Sequence, residues 1–245
     1  MSAAATKINW ATRKNKRRND GQLLTYLQPL LTSGRTAVSL LSLPGPGWLW
    51  EAALADDCPA MKFTFFGVER NPKLNASARA KARQMNQQRG GQVVFETIPH
   101  TMDWSTVINN RPMPEFDIVY ADYMGGWSNE KLDEVIDMFS KPCLIGSKGY
   151  FIMTLSLTRN ASPMRNFAIK DGKKSNILVL DDQEDLRPNR SDKVHPHARG
   201  IAEHVMFAAE QGGYKLSAYP IHIYYNKGFK NDCLPEASFC FRRTT

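Results

Sequence analysis

A chain of 245 residues with 42% hydrophobic and 10% aromatic side chains is long enough for one large domain, or a domain with an added arm, and apolar enough for a buried core. That composition excludes wholesale disorder, and no apolar run approaches the ~20 residues that cross a bilayer, which excludes a membrane-spanning helix. The net charge of +8 points to a polyanionic partner, because each neutralised phosphate releases counterions.

The first 20 residues, MSAAATKINWATRKNKRRND, have no apolar stretch of the secretory type. They hold Lys7, Arg13, Lys14, Lys16, Arg17 and Arg18 against Asp20, a balance of +5. The segment 1–20 reads as a basic flexible arm, either a solvated charged tail, a localisation signal, or a contact for a nucleic-acid backbone. Cys58, Cys143, Cys233 and Cys240 lack paired or zinc-type spacing and suit reduced thiols in an intracellular protein, cytoplasmic or nuclear. Nothing in the sequence sets the oligomeric state.

Residues 19–31 (NDGQLLTYLQPLL) predict a short helix that Pro29 ends or kinks. Residues 36–43 (TAVSLLSL) predict a buried strand, followed by Pro44-Gly45-Pro46-Gly47 and a helix from 48. Residues 62–68 (KFTFFGV) are the second strand. The helix over 72–89 carries a second basic group, Lys73, Arg79, Lys81, Arg83 and Arg89, and Gly90-Gly91 stop it. Strands over 92–97 and 116–121 follow, then a helix over 129–139 with an apolar stripe of Leu132, Val135, Ile136 and Phe139. Residues 149–157 form a fifth strand. A polar insertion at 161–196 contains one short strand at 177–180, and a helix over 198–211 stops at Gly212-Gly213. Strands over 214–225 and 238–242 close the chain with no helix between them. There is no internal repeat.

This alternation predicts an α/β fold over 21–245, a doubly wound, mostly parallel seven-stranded sheet with an antiparallel C-terminal strand pair. In such sheets ligands sit beyond the carboxyl ends of the strands, where Gly45-Pro46-Gly47 lies. Position 50 is Trp where the dinucleotide fingerprint needs a third glycine, and no Gly-Lys-Ser/Thr follows as in a P-loop. A nucleoside bound without a pyrophosphate remains. Glu69, 22 residues after Gly47, stands where a carboxylate grips a ribose hydroxyl pair. The fourth strand, in EFDIVYADYMGGW, delivers Asp122 to the same edge. Gly125 and Gly126 then let a backbone approach a ligand, and Tyr123 and Trp127 offer faces to a flat base. Each feature also has a plainer reading: a tight turn, a surface carboxylate, a helix cap over packed aromatics.

With these motifs the chain resembles the class I S-adenosylmethionine-dependent methyltransferase family over about residues 36–245, which is a Rossmann-like fold. The resemblance implies S-adenosyl-L-methionine as cofactor, with Pro44, Gly45 and Gly47 under its methionine and ribose. It implies Glu69 on the ribose hydroxyls, Arg70 beside the adenine, Asp103 at the adenine amine and Trp104 packed on the ring. FDIVYADYMGGW resembles the motif that closes over the sulfonium, which makes Asp122 and Tyr123 the catalytic candidates, with Trp127 and Arg159 toward the acceptor and its phosphate. Lys14, Arg17 and Arg18 would contact a nucleic-acid substrate, RNA ahead of DNA, and no metal is implied. The family's acidic residue two positions before the first glycine is Leu43 here. The fourth motif is not Asn/Asp-Pro-Pro-Tyr/Phe, Pro142-Cys143 follows the wrong element for a cytosine-C5 nucleophile, and Lys148 is misplaced for a ribose 2′-hydroxyl enzyme. The competing expectations are a methyltransferase-like fold that only binds nucleic acid or protein, and an aminopropyl transferase using the same cofactor.

Overall fold

The computed structural model describes residues 14–97, 106–107, 114–122, 129–141, 145–156, 178–180, 196–217, 221–227 and 233–244. In chain order these hold α1 (Lys14–Leu31), β1 (Ala37–Ser42), α2 (Leu49–Asp57), β2 (Lys62–Gly67), α3 (Pro72–Gln88), β3 (Val93–Thr97) and β4 (Phe116–Asp122). There follow α4 (Asn129–Ser140), β5 (Ile145–Ser156), β6 (Leu178–Leu180), α5 (Pro196–Gln211), β7 (Tyr214–Leu216), β8 (Ile221–Lys227) and β9 (Cys233–Arg243).

The strands make one sheet in the order β3-β2-β1-β4-β5-β9-β8-β6, with β7 also beside β9. β1 to β5 are parallel, and β9 is antiparallel to β5, β7 and β8. β7 pairs with the end of β9 (Tyr214↔Arg243 to Leu216↔Phe241) and β8 with its beginning (Ile223↔Ala237 to Lys227↔Cys233). They are two halves of one lane. The seven expected lanes are therefore present, six parallel and one antiparallel, and short β6 adds to the outside of β8.

The strand expected over 238–242 begins at Cys233, because β8 gives its first half a partner, and three further boundaries differ from expectation for physical reasons. The strand expected over 214–225 is broken in two, and its sequence contains Pro220, which has no N–H for a ladder. β5 begins at Ile145 instead of 149, because its register slips between Phe116↔Ile145 and Ile118↔Tyr150. Lys148 takes a φ of 65° in that excursion, and a Cβ on Gly149 would lie 2.9 Å from the Gly146 carbonyl oxygen. Finally, α1 begins at Lys14, so residues 14–20 of the expected flexible arm are helical. Lys and Arg are good helix formers, and no Gly or Pro interrupts until Gly21. Pro29 does not end this helix, which runs on to Leu31: Thr32 N–H still reaches the Gln28 carbonyl at 2.9 Å across it.

Alternation along the strands creates two cores. Ile118 and Tyr120 of β4 face one side and Val119 and Ala121 the other, the pattern of a central parallel strand buried on both faces. One core joins Leu23, Leu27 and Leu30 of α1, Trp50 and Leu54 of α2, and Ala78, Ala82 and Met85 of α3. The other joins Val135, Met138 and Phe139 of α4 with Ala202, Val205 and Ala209 of α5. Each fully buried Leu or Phe contributes about 1.5–3 kcal/mol. Near the amino edge Asp117 fastens β4 to β1: it accepts from Ser39 N–H at 2.8 Å and pairs with Arg35.

Candidate functional site

The register sets the site. Ser42 pairs with Gly67 of β2 on one side and Tyr120 of β4 on the other. Two residues further on, Pro44, Glu69 and Asp122 come out at neighbouring strand ends on the carboxyl edge, and Asp122 continues the row to Thr154 of β5. The three features read separately from the sequence thus share one edge. Glu69, Asp122, Pro44, Gly45 and Gly47 are all half-buried there.

The turn after β1 is held by its own tryptophan. Gly45 has φ 59° and Trp48, the residue before α2, has φ 53°, a left-handed conformation. Trp48 is fully buried, its Nε1–H donates to the Ala78 carbonyl at 2.9 Å, and its ring meets Phe95 edge-on at 5.4 Å. The indole and Pro44 close on Gly67 so tightly that a Cβ there would lie 2.5 Å from Trp48 Cη2 and 2.7 Å from Pro44 Cγ. Trp48 gives α2 no side-chain cap, so the first amides of that helix face the turn without one, the arrangement that favours an anionic group. Glu51, 2% exposed, instead accepts from Ser42 Oγ at 2.6 Å and ties α2 to the end of β1. Leu43, where the resemblance would place an acid, packs against the α4–α5 core.

Glu69 is anchored on both sides. Its Oε1 accepts from Asn71 N–H at 2.8 Å, and its carbonyl accepts from Asn75 Nδ2 at 3.1 Å. Asn71 caps α3 by accepting from Lys73 N–H at 3.0 Å and Leu74 N–H at 3.3 Å, with Pro72 at the first helical position. Arg70 is exposed. Lys131, in the first turn of α4, has its ammonium pKa lowered, chiefly by burial and then by the charge of Arg70, with Glu134 opposing. The loop after β2 and the start of α4 are therefore electrostatic neighbours.

Of the predicted residues, Pro44, Gly45, Gly47, Glu69, Arg70 and Asp122 are brought to this edge. Asp103, Trp104, Tyr123, Trp127 and Arg159 lie outside the described residues, as do the side chains of Lys14, Arg17 and Arg18, whose backbone belongs to α1. Sequence reasoning missed Trp48, Gly67, Asn75, Lys131 and the Ser42–Glu51 pair. Gly67 carried a readable signal, a glycine ending an otherwise apolar strand beside a glycine turn. Trp48 carried none, because bulky residues seldom take a positive φ.

No protein-family model and no curated protein matches the sequence. Solved structures do. A SAM-dependent methyltransferase from Methanosarcina mazei is similar over 91% of this chain and 96% of its own, with a TM-score of 0.51 at 11% identity. The chain has the class I methyltransferase fold. The N-methyltransferase NodS from Bradyrhizobium japonicum, in complex with S-adenosyl-L-homocysteine, is 13% identical, with 96% and 90% of the two chains covered and a TM-score of 0.48. TYW2 of M. jannaschii, in complex with AdoMet, is 12% identical, with 98% and 80% covered and a TM-score of 0.46. At such identities the likeness is one of fold. Among the described residues of this methyltransferase fold, no helix is long and apolar enough to cross a membrane.

Proposed function

We propose that the chain is an S-adenosylmethionine-dependent methyltransferase whose acceptor is a nucleic acid, RNA being the one to test first. The observation that carries the reading is the single row of Pro44, Glu69 and Asp122 at the ends of β1, β2 and β4. The donor set fits the cofactor. Glu69 offers a carboxylate to two hydroxyls, held in place by the Asn71 and Asn75 bonds to its side chain and backbone. The uncapped first turn of α2 suits the carboxylate of an amino-acid tail. When bound, S-adenosylmethionine supplies a methyl group already activated on a sulfonium, so the protein's share is position and electrostatics. Asp122 orients the acceptor and takes its proton where one must leave. Tyr123 and Trp127 frame a flat acceptor, and the basic α1 and α3 favour a phosphate backbone.

Calorimetry on Glu69→Ala tests the reading, with loss of S-adenosylmethionine binding expected; wild-type affinity in that variant refutes it. Incubation with methyl-labelled cofactor and separated RNA, DNA and protein identifies the acceptor, and label in protein alone removes the nucleic-acid part. A second reading, a silent binding module, is favoured by one observation: half-buried Leu43 packs against the core where an acid would meet the ligand. A melting temperature that rises with S-adenosylmethionine or its demethylated product decides for the enzyme, since binding to the native state adds stability.

A further inference from the structure

The topology sorts the helices by charge. α1, α2 and α3 cover one face of the sheet, and α4 and α5 cover the other. α3 contains Lys73, Arg79, Lys81 and Arg83 and no acidic residue, and α1 opens with Lys14, Lys16, Arg17 and Arg18 before Asp20. On the opposite face α4 holds Glu130, Asp133, Glu134 and Asp137 against Lys131, and α5 holds Glu203 and Glu210 against Arg199. The acids of α2 do little to offset the first face. Glu51 is buried on Ser42, Asp56 pairs with Arg89 at 2.7 Å, and Asp57 lies at the end leading into β2, the amino edge.

Around its exposed basic residues, Lys73, Arg79 and Arg83, the exposed surface of α3 is built of small or uncharged residues, Ala76, Ser77, Ala80, Gln84 and Gln87. By helical spacing Arg79 and Arg83 stand one above the other on one flank, with Lys81 on the other. Among the described residues Lys73, Arg79 and Arg83 meet no carboxylate. Like charges four apart repel, and a polyanion alongside relieves that repulsion.

α1 supplies a second rail on the same face. Its C-terminal end leads through residues 32–36 into the start of β1, yet Tyr26 already packs against the core that holds Cys240 of β9. Cys240 pairs with Ile152, Ile152 with Tyr120 and Tyr120 with Ser42, which is the last residue of β1. The basic turns before Tyr26 therefore lie toward the carboxyl edge, where α1 packs on β8 and β9. Lys73, four residues past Glu69, opens α3 at the same edge, over β3. From β3 to β9 is five strand spacings, about 24 Å.

We propose that this face is a docking surface for the phosphodiester backbone of RNA, bridging the basic turns of α1 and Lys73, Arg79 and Arg83 of α3 past the edge that holds Asp122. It rests on the nucleic-acid reading above. Small exposed side chains on α3 let the backbone come close, and the acidic α4–α5 face repels it.

The test measures binding of a single-stranded RNA of about twelve nucleotides to the full chain by fluorescence anisotropy across a salt series. Arg79→Gln with Arg83→Gln lowers the slope of log K against log salt by about 1.4, at about 0.7 for each phosphate that is no longer neutralised. Lys141→Gln, just past α4 on the other face, leaves the slope unchanged. Melting with S-adenosylmethionine verifies that each variant is folded and binds the cofactor. A double variant with the wild-type slope overturns the surface while the nucleic-acid reading stands. A wild-type protein that binds no RNA but is stabilised by the cofactor overturns both, and tighter binding of polyglutamate than of RNA reassigns the face to an acidic protein and overturns the proposal.

Discussion

Replacing Gly67 with alanine puts a methyl group 2.5 Å from Cη2 and 2.8 Å from Cζ2 of Trp48, and 2.7 Å from Cγ of Pro44. None of these atoms can swing away cheaply. The indole is held by its bond to the Ala78 carbonyl and its edge contact with Phe95, and Pro44 is a closed ring. Overpacking of this kind costs about 1–3 kcal/mol, and dislodging the indole adds about 1 kcal/mol for the hydrogen bond. The expected loss for Gly67→Ala is about 3 kcal/mol, which lowers Tm by ~6–12 °C in a chain of this size. Two neighbours calibrate the measurement. Gly45→Ala meets nothing within 4 Å but keeps φ at +59°, a left-handed strain of about 1–2 kcal/mol. Gly47→Ala meets only the Leu49 side chain, with Cγ at 3.2 Å, and Leu49 is 47% exposed and free to move, so the cost stays under about 1 kcal/mol. Urea and thermal denaturation of the three variants should rank them Gly67, Gly45, Gly47 from most to least damaging. A Gly67→Ala protein within about 0.5 kcal/mol of wild type would refute the clamp.

Asn75→Ala removes the buried bond to the Glu69 carbonyl, so stability should fall by about 1–3 kcal/mol and calorimetry should show weaker S-adenosylmethionine binding. Loss of stability with unchanged affinity would separate Asn75 from the site. Asp117→Ala should cost about 1–3 kcal/mol, mostly through the Ser39 N–H bond. Because Arg35 is 39% exposed and screened, the loss in urea midpoint should be nearly the same in low and high salt. Burial pushes the Cys240 thiol up from 9.0 to about 12 and the Tyr214 hydroxyl up from 10.0 to about 12. Both groups keep their protons in the fold after the unfolded chain has lost them. Their contribution is complete below pH 9 and drains away as the pH rises toward 12. Urea unfolding between pH 8 and 11 should show this decline, and Cys240→Ala should delay its onset; a flat profile would contradict the burial of both groups.

Most of the element order was legible because it depends on short-range signals. Alternating apolar runs and amphipathic stripes mark strands and helices, and Gly90-Gly91 closes α3 by local backbone chemistry. The carboxylates Glu69 and Asp122 were legible because a residue ending a parallel strand must emerge at the carboxyl edge. The broken seventh lane and the slipped start of β5 were not, since both depend on what a distant strand offers as a partner.

By itself, then, the sequence determined the strand–helix alternation, the glycine turn after β1 and the excess of basic charge. Tertiary structure alone decided that Pro44, Glu69 and Asp122 stand side by side, because that adjacency is a matter of register between β1, β2 and β4. It alone put Trp48 into a left-handed conformation, since burial against Gly67, Ala78 and Phe95 outweighs the local strain. It also turned residues 14–20 from an arm into the first turns of a helix, and set α1 and α3 on one face. Which face a helix covers is set by the hand of the connection and the packing of its apolar side, and no residue count along the chain encodes it.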